Sequence, residues 1–365
     1  MIFTRGDLPL SKSQLMPLEN DEKYHEYEDH GDYRQRGYRD PKAKKKSTNL
    51  VPGIVIRALG HHFEVQTFPD SDPNCISGVR LCQARGRLRQ KKGQTTLIAV
   101  GDRVYLLPKD EDTGLIEEVE ERESVLSRQQ PGASTPTEDV ILANLDQVLI
   151  VFAIAQPEPH LRMLDRFLVI AEANELPAII CINKIDLESL DKAETLMKPY
   201  VDIGYPVHYT SAAEGYGIDK LQELLLGYTT VLTGPSGVGK SSLLNALHPK
   251  FSLTIGDLRT FLAKGSHTTR TARLLHLPLE DERLDQAQTF LADTPGIREL
   301  GFYEIDPADL GFYYIDIEPY LNDCRYPNCT HNHEPGCAVR DAVTAGKITQ
   351  ERYDSYLRLL ADVGV

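Results

Sequence analysis

Two short motifs stand in an order that severely restricts how this chain can fold. The tetrapeptide NKID occupies residues 183–186, and the phosphate-loop pattern GPSGVGKSS occupies residues 234–242. The segment suited to reading a base therefore precedes the segment suited to holding phosphates, and any fold must still bring the two together.

The phosphate loop is the stronger signal. It follows the apolar run TTVLT and precedes SLLNAL, the strand and helix context that the pattern requires. Gly234, Gly237 and Gly239 let the backbone turn its amides inward, with Pro235, Ser236 and Val238 completing the loop. Lys240 is expected to reach the outer phosphates, and Ser241 to place its hydroxyl on Mg²⁺. A helix starting near Ser242 adds its positive N-terminal end.

NKID follows LPAIICI, a buried-strand pattern, and TSAA (210–213) follows a second strand-like run, YPVHY. In a guanine site Asp186 accepts from the N1 and exocyclic amino donors of the base, an edge that adenine does not present. Asn183 braces the loop and reaches the base, Lys184 lies along the ring with Ile185 beside it, and the Ser211–Ala212 turn directs the Ala212 amide to the guanine oxygen. Downstream, TFLADTPG (289–296) reads as a strand ending in a flexible turn. There Asp293 would hold Mg²⁺ through water and the Gly296 amide would touch the γ-phosphate. Between lies KGSHTTR (264–270), in which Thr268 or Thr269 is the switch threonine that closes over the metal.

The order along the chain is base, base, phosphate, switch one, switch two. A guanine-nucleotide sheet cut between its third and fourth strands gives this order, with its former ends joined through the short link around Gly227. QVLIVFAIA (147–155) then opens the domain, and the chain leaves it directly after switch two.

Next comes CRYPNCTHNHEPGC (324–337). Cys324, Cys329, His331 and Cys337 offer three thiolates and an imidazole, enough for one closed tetrahedral zinc site, with His333 a substitute for His331. So tight a turn is expected to have little core of its own and to draw its folding energy from the metal. The segment ITQERYDSYLRLLADV, apolar at helical spacing, should pack on it.

Residues 51–125 read as all-β: VPGIVIRALGHHFEVQTF, GVRLCQARGRLR, TTLIAVGDRVYLLP and GLIEEVEE are short runs broken by Gly, Asp and Pro, suiting a five-stranded OB barrel. Arg80, Arg85, Arg87, Arg89, Lys91 and Lys92 fall here with no acidic residue among them, a local RNA contact. It must be local, because the chain as a whole carries a formal charge of −14 over 365 residues. SRQQPGASTPTEDV (127–140) reads as a loose linker, and residues 1–50, rich in charge and tyrosine, as a disordered or partner-ordered extension. Cys75, Cys82 and Cys181 show no pairing logic, which fits a reducing cytosol. No apolar stretch is long enough to span a bilayer, and the start lacks the apolar core of a signal peptide.

The whole constellation, NKID, TSA, GPSGVGKSS, GSHTT and DTPG in that order with the spacing CxxxxCxHxxxxxC, resembles the bacterial ribosome small-subunit-dependent GTPase A family over about residues 51–365. The resemblance implies an α/β fold: a circularly permuted P-loop GTPase domain (141–300) with an N-terminal OB-fold β-barrel (51–125), a linker (126–140) and a C-terminal zinc-binding helical domain (301–365). It also implies a cytoplasmic GTPase with Mg²⁺ and one Zn²⁺, a monomer, acting in late 30S maturation through 16S rRNA and hydrolysing GTP when engaged with the subunit. The position after DTPG that often carries a water-orienting Gln holds Ile297 here, so unassisted turnover should be slow, and His267 beside the switch threonines is the expected water-positioning residue.

Overall fold

A computed structural model describes residues 50–67, 78–86, 88, 97–129, 138–247, 272–277, 288–293 and 305–363. Five strands form the first unit: β1 Val51–Leu59, β2 His62–Thr67, β3 Gly78–Ala84, β4 Arg103–Pro108 and β5 Thr113–Val119. β1 pairs with β2, β2 with β3, β3 in parallel with β5, β5 with β4, and β4 again with β1, which closes an OB-like barrel. Alternation supplies its core, since Cys82 and Ala84 of β3 turn inward beside Val55, Val65, Leu106 and Ile116 while Val79 and Leu81 face out. Among the described residues of the run TTLIAVGDRVYLLP the strand begins at Arg103; before it the Asp102 carboxylate takes the Ala99 amide (2.7 Å) and turns the chain.

Both ends of the stretch read as a loose linker (127–140) are instead strand, in an antiparallel ribbon of β6 Val125–Gln129 with β7 Glu138–Ala143. Its apolar members explain the difference: Leu126 and Leu142 are buried in the main core. The ribbon's ends are fastened to the barrel. Arg122 forks onto buried Asp102 at 2.8 and 2.9 Å, and the Asn144 amide donates to the Gly101 carbonyl (3.0 Å).

The second unit is a six-stranded layer in the order β10-β9-β8-β11-β13-β12, comprising β8 Gln147–Ala153, β9 Ala178–Asn183, β10 Val207–Tyr209, β11 Thr229–Thr233, β12 Arg273–Leu277 and β13 Thr289–Asp293. All are parallel except β12, which is antiparallel to β13 and meets barrel strand β1 at Arg57↔Arg273. β8 and β9 are buried on both faces, as continuous apolar parallel strands are. Ile150, Phe152 and Ile180 pack under α1 Leu161–Ala173 and α2 Leu190–Asp202, whereas Leu149, Val151 and Ile179 pack under α3 Ile218–Leu225 and α4 Lys240–Leu247. The link around Gly227 is held at both sides, by Gly227 N donating to Thr289 Oγ1 (2.8 Å) and Thr229 N to Asp146 Oδ2 (2.7 Å).

The third unit contains short 3₁₀ turns at Leu310–Tyr313 and Glu318–Asp323, then α5 Ala338–Thr344 and α6 Gln350–Asp362. It has a core after all: Leu310, Tyr314, Ile317, Val339, Tyr356 and Leu359 cluster with Val169 and Ile170 of α1. The segment ITQERYDSYLRLLADV packs beside the turn as expected, Tyr356 and Leu359 clustering with Cys337, and apolar burial shared with α1 supports the unit around it. No helix among the described residues is long and apolar enough to cross a membrane.

Candidate functional site

The carboxyl ends of β8, β9, β10 and β11 converge on one rim, where open α/β sheets bind ligands. The phosphate loop leaves β11 in a geometry that only glycine fits at two points. A Cβ on Gly234 (φ +137°) would lie 2.0 Å from the Val151 carbonyl oxygen, and one on Gly239 (φ +93°) would lie 2.4 Å from Asn183 Nδ2. The loop is thus packed directly on the base-reading segment.

Asn183 makes that junction. It ends β9, is 1% exposed, donates from Nδ2 to the Val238 carbonyl (2.9 Å) and accepts at Oδ1 from the Thr210 hydroxyl (3.1 Å) and the Ala212 amide (3.2 Å). One side chain therefore joins the phosphate loop to the TSAA loop. Lys184, in a left-handed conformation (φ +63°), donates to the Gly237 carbonyl (2.6 Å) and to the Gln156 carbonyl. Ile185 N donates to the Thr210 carbonyl (3.2 Å). Asp186 accepts from the Ser211 hydroxyl (2.5 Å), whose oxygen also accepts from Glu214 N (3.2 Å). Lys240 opens α4 and reaches back to the Gly234 and Pro235 carbonyls (2.7 and 2.6 Å), with Ser241 and Ser242 in the same first turn and Ser236 exposed on the loop. The Asp186 carboxylate, the Lys240 ammonium and a helix N-terminus thus share one rim, chemistry suited to a nucleotide phosphate chain and a purine edge.

Sequence reasoning missed Gln156, Pro157 and Thr210 as parts of this site. Pro157 Cδ lies 3.6 Å from where a Cβ of Gly237 would stand, so the turn after β8 walls the loop. Its only signal was a Pro-containing turn at the end of a buried parallel strand.

Asp293 ends β13 in register with Leu232 of β11, which sets its backbone beside the phosphate-loop strand. His267, Thr268, Thr269, Gly296 and Ile297 lie outside the described residues. So do Arg87, Arg89, Lys91 and Lys92 of the basic segment. The two described members are engaged within the barrel, Arg80 with the Asp110 carbonyl and Arg85 with the Glu117 carboxylate.

The metal cluster is compact. The ligand atoms of Cys324, Cys329, His331 and Cys337 all lie within 4.8 Å of one another. Cys324 Sγ stands 3.4 Å from His331 Nδ1 and 4.0 Å from Cys337 Sγ, and Cys337 Sγ stands 3.5 Å from His331 Nδ1. A tetrahedral ion with bonds of about 2.3 Å to sulfur and 2.0 Å to nitrogen separates its ligands by about 3.5–3.8 Å, so the donor set fits. His333 is exposed and outside the cluster. Burial pushes the Cys329 thiol up to about 12, so closing a cation into this set means displacing thiol protons. Burial is the largest single influence on Glu334 and raises it, but the bonds from the Thr330 hydroxyl and amide and from the His333 amide together outweigh it and hold Glu334 at about 2; its Oε2 stands 3.6 Å from Cys329 Sγ. Of the other cysteines, Cys82 and Cys181 are buried and unpaired, and Cys75 lies outside the described residues.

This architecture has close relatives. The sequence model of the RsgA GTPase family matches residues 119–303. A protein of Gemmatimonas aurantiaca named small ribosomal subunit biogenesis GTPase RsgA is 42% identical over 315 residues, covering 86% of this chain and 97% of the relative. A protein of the same name from Bacillus pumilus is 39% identical over 319 residues, covering 86% and 98%. Among solved structures, YjeQ from Thermotoga maritima superposes with a TM-score of 0.68 at 32% identity over 86% of this chain and 98% of that one. YloQ, described as a circularly permuted GTPase, gives 0.63 at 32% identity over 87% and 96%. A permuted sheet whose rim joins NKID to a phosphate loop, a closed five-stranded barrel before it and a three-cysteine, one-histidine cluster after it agree with these matches along nearly their whole length: the chain belongs to the RsgA GTPase family.

Proposed function

We propose that this GTPase acts in late maturation of the small ribosomal subunit, binding the 30S particle through 16S rRNA and turning over GTP when engaged with it. The observation that carries the reading is Asn183, whose one buried amide ties the phosphate loop to the guanine-reading loops and so makes a single nucleotide site of them. The names of the relatives, small ribosomal subunit biogenesis GTPase, supply the partner.

In this reading Asp186 selects guanine, Lys184 lies along the base, the Ala212 amide meets the guanine oxygen, and the amides of residues 234–242 hold the phosphates. Lys240 neutralises charge on the outer phosphates. Ser241 and Thr268 or Thr269 would hold Mg²⁺ directly, with Asp293 acting through water, and Gly296 would sense the γ-phosphate; Mg²⁺ supplies charge neutralisation between the outer phosphates. Ile297 cannot orient water, which leaves His267 as the positioning group once the subunit is engaged. We assign zinc to the cluster of Cys324, Cys329, His331 and Cys337. Arg87, Arg89, Lys91 and Lys92, more than Arg80 and Arg85, carry the RNA contact. The protein acts as a cytoplasmic monomer.

The test is GTP turnover by the purified chain alone, with 30S and with 50S subunits, using Lys240→Ala as the blank. Strong stimulation by 30S alone is expected. Tight GTP binding without stimulation would replace a subunit-gated hydrolase by a GTP-sensing RNA-binding adaptor.

A further inference from the structure

Adjacent residues of α6 face two different parts of the molecule. Tyr353 donates its hydroxyl to the carbonyl of the metal ligand His331 (2.6 Å), and Tyr356, one turn on, donates to the Thr330 carbonyl (3.2 Å). His331 has φ +61°, a backbone conformation that L residues seldom adopt, so the two tyrosines grip the ligand loop where it is least relaxed. Arg352 turns the other way. Its Nε and Nη2 fork onto Asp316 at 3.1 and 2.7 Å, its Nη1 donates to Asp165, and its guanidinium lies 4.6 Å from the Tyr314 ring centre. Arg352 is 3% exposed and Asp165 is 2% exposed.

What this arginine holds is close to the nucleotide rim in sequence. Asp165 lies in α1, which begins at Leu161, just after the Gln156–Pro157 turn that takes the Lys184 ammonium. Asp165 also accepts from the hydroxyl of Tyr200 (2.9 Å) on α2, which begins at Leu190, just after Asp186. Arg352 therefore grips α1, which follows the turn that takes Lys184, and through Asp165 and Tyr200 it grips α2, which follows NKID, while its neighbour grips the metal cluster.

We propose that Arg352 is a positioning residue for the guanine-binding loops, and that α6 makes nucleotide retention depend on the metal cluster being closed. With the four ligands held together, α6 is fixed at two places, at the His331 and Thr330 carbonyls and at Asp165 with Asp316. Opening the cluster frees the first. The planar fork of Arg352 needs a fixed helix to meet two carboxylates at once, so α1 and α2 relax with it, and Lys184 and Asp186 hold the base less firmly. The proposal rests on the reading of the cluster as a metal site and of the rim as a guanine site.

The experiment uses the full chain, with metal content measured in every sample, and follows release of a fluorescent GDP analogue from zinc-loaded and chelator-stripped protein. Stripping should accelerate release several-fold in the parent. Arg352→Lys, which keeps the charge and loses the fork, should release fast with zinc bound and gain nothing further on stripping. Tyr353→Phe should match the parent at saturating zinc yet surrender zinc to a competing chelator about tenfold more readily, the usual effect of removing a group that orients a metal ligand. Asp165→Asn, equal in size and uncharged, takes the place of Arg352→Lys if that variant does not fold. Unchanged release from a parent measured to be free of metal overturns the proposal, as does equal acceleration in the parent and in Arg352→Lys. A parent that takes up no zinc overturns the metal reading and the proposal together, and the metal measurement tells that case from the others.

Discussion

Replacing Asn183 tests the claim that the nucleotide site is one object. Asn183→Ala removes a donor from the Val238 carbonyl and an acceptor from the Thr210 hydroxyl and the Ala212 amide, all at buried or half-buried positions. Each buried polar group left without a partner costs about 1–3 kcal/mol, and because the three share one cavity their costs overlap, so a stability loss of about 2–4 kcal/mol is expected. Some of that loss falls on the ligand as well, because the phosphate loop is no longer held in register with Asp186; GDP affinity should fall by about tenfold or more, or about 1.4 kcal/mol. Asn183→Asp separates the two ends of the amide. It keeps the acceptor side but turns a carboxylate oxygen onto the Val238 carbonyl, where burial raises the folded-state pKa of the introduced carboxyl above its unfolded value. The folded variant then binds its proton more tightly than the unfolded chain does, so its deficit relative to the parent should shrink as pH falls through that raised pKa. Denaturant melts at pH 5 and 8, with equilibrium titration of a fluorescent GDP analogue, measure all of this. An alanine variant within about 0.5 kcal/mol of the parent and within twofold in affinity would refute the reasoning, since surface substitutions alone span that range.

Gly239→Ala should leave the rest of the fold intact and depress nucleotide affinity sharply in the same titration, because its methyl would sit 2.4 Å from Asn183 Nδ2 in a left-handed backbone. Arg85→Ala should weaken the barrel by about 1 kcal/mol through loss of the pair between half-exposed Arg85 and buried Glu117, yet leave 30S affinity in a sedimentation assay nearer the parent than Lys91→Ala paired with Lys92→Ala does. Cys324→Ser should lower the zinc measured per chain from one toward none while a thermal melt still shows a cooperative transition, since the third unit also has an apolar core. Lys198→Ala, which breaks an exposed pair with Asp202, should shift the melt by well under 1 kcal/mol.

What the sequence disclosed depended on how locally each feature is encoded. Strands β8, β9 and β11 declared themselves as apolar runs followed by loops of constrained residue type, and the order of those loops already implied the permuted sheet. The four-ligand cluster was legible for the same reason, being packed into 14 consecutive residues. Features held by long-range contact were not. The ribbon of β6 and β7 hid behind a Ser-, Pro- and Gly-containing stretch, and only the burial of Leu126 and Leu142 against distant strands explains it. Arg352 reads in sequence as one more charge on an amphipathic helix, and its partner Asp165 lies 187 positions away. Gln156 contributes a backbone carbonyl, which leaves no trace in residue type.

The meeting of β1 with β12 has a further consequence for recognition. β12 would otherwise be the free edge of the parallel layer, and a free edge is where another chain can add a strand. In this molecule the barrel takes that place, so a partner could read the region between the two switch segments by strand addition only after displacing the barrel. The register records a single residue pair across the seam, Arg57 with Arg273. Its backbone hydrogen bonds are worth about 1 kcal/mol net, and separation there is also resisted by apolar burial, Ile56 of β1 lying in the main core with Ala272 and Leu274, and by Arg122 on Asp102. The barrel thus guards the edge mainly through its side chains, with Ile56 and Val100 buried in the main core and a single backbone pair between the two strands.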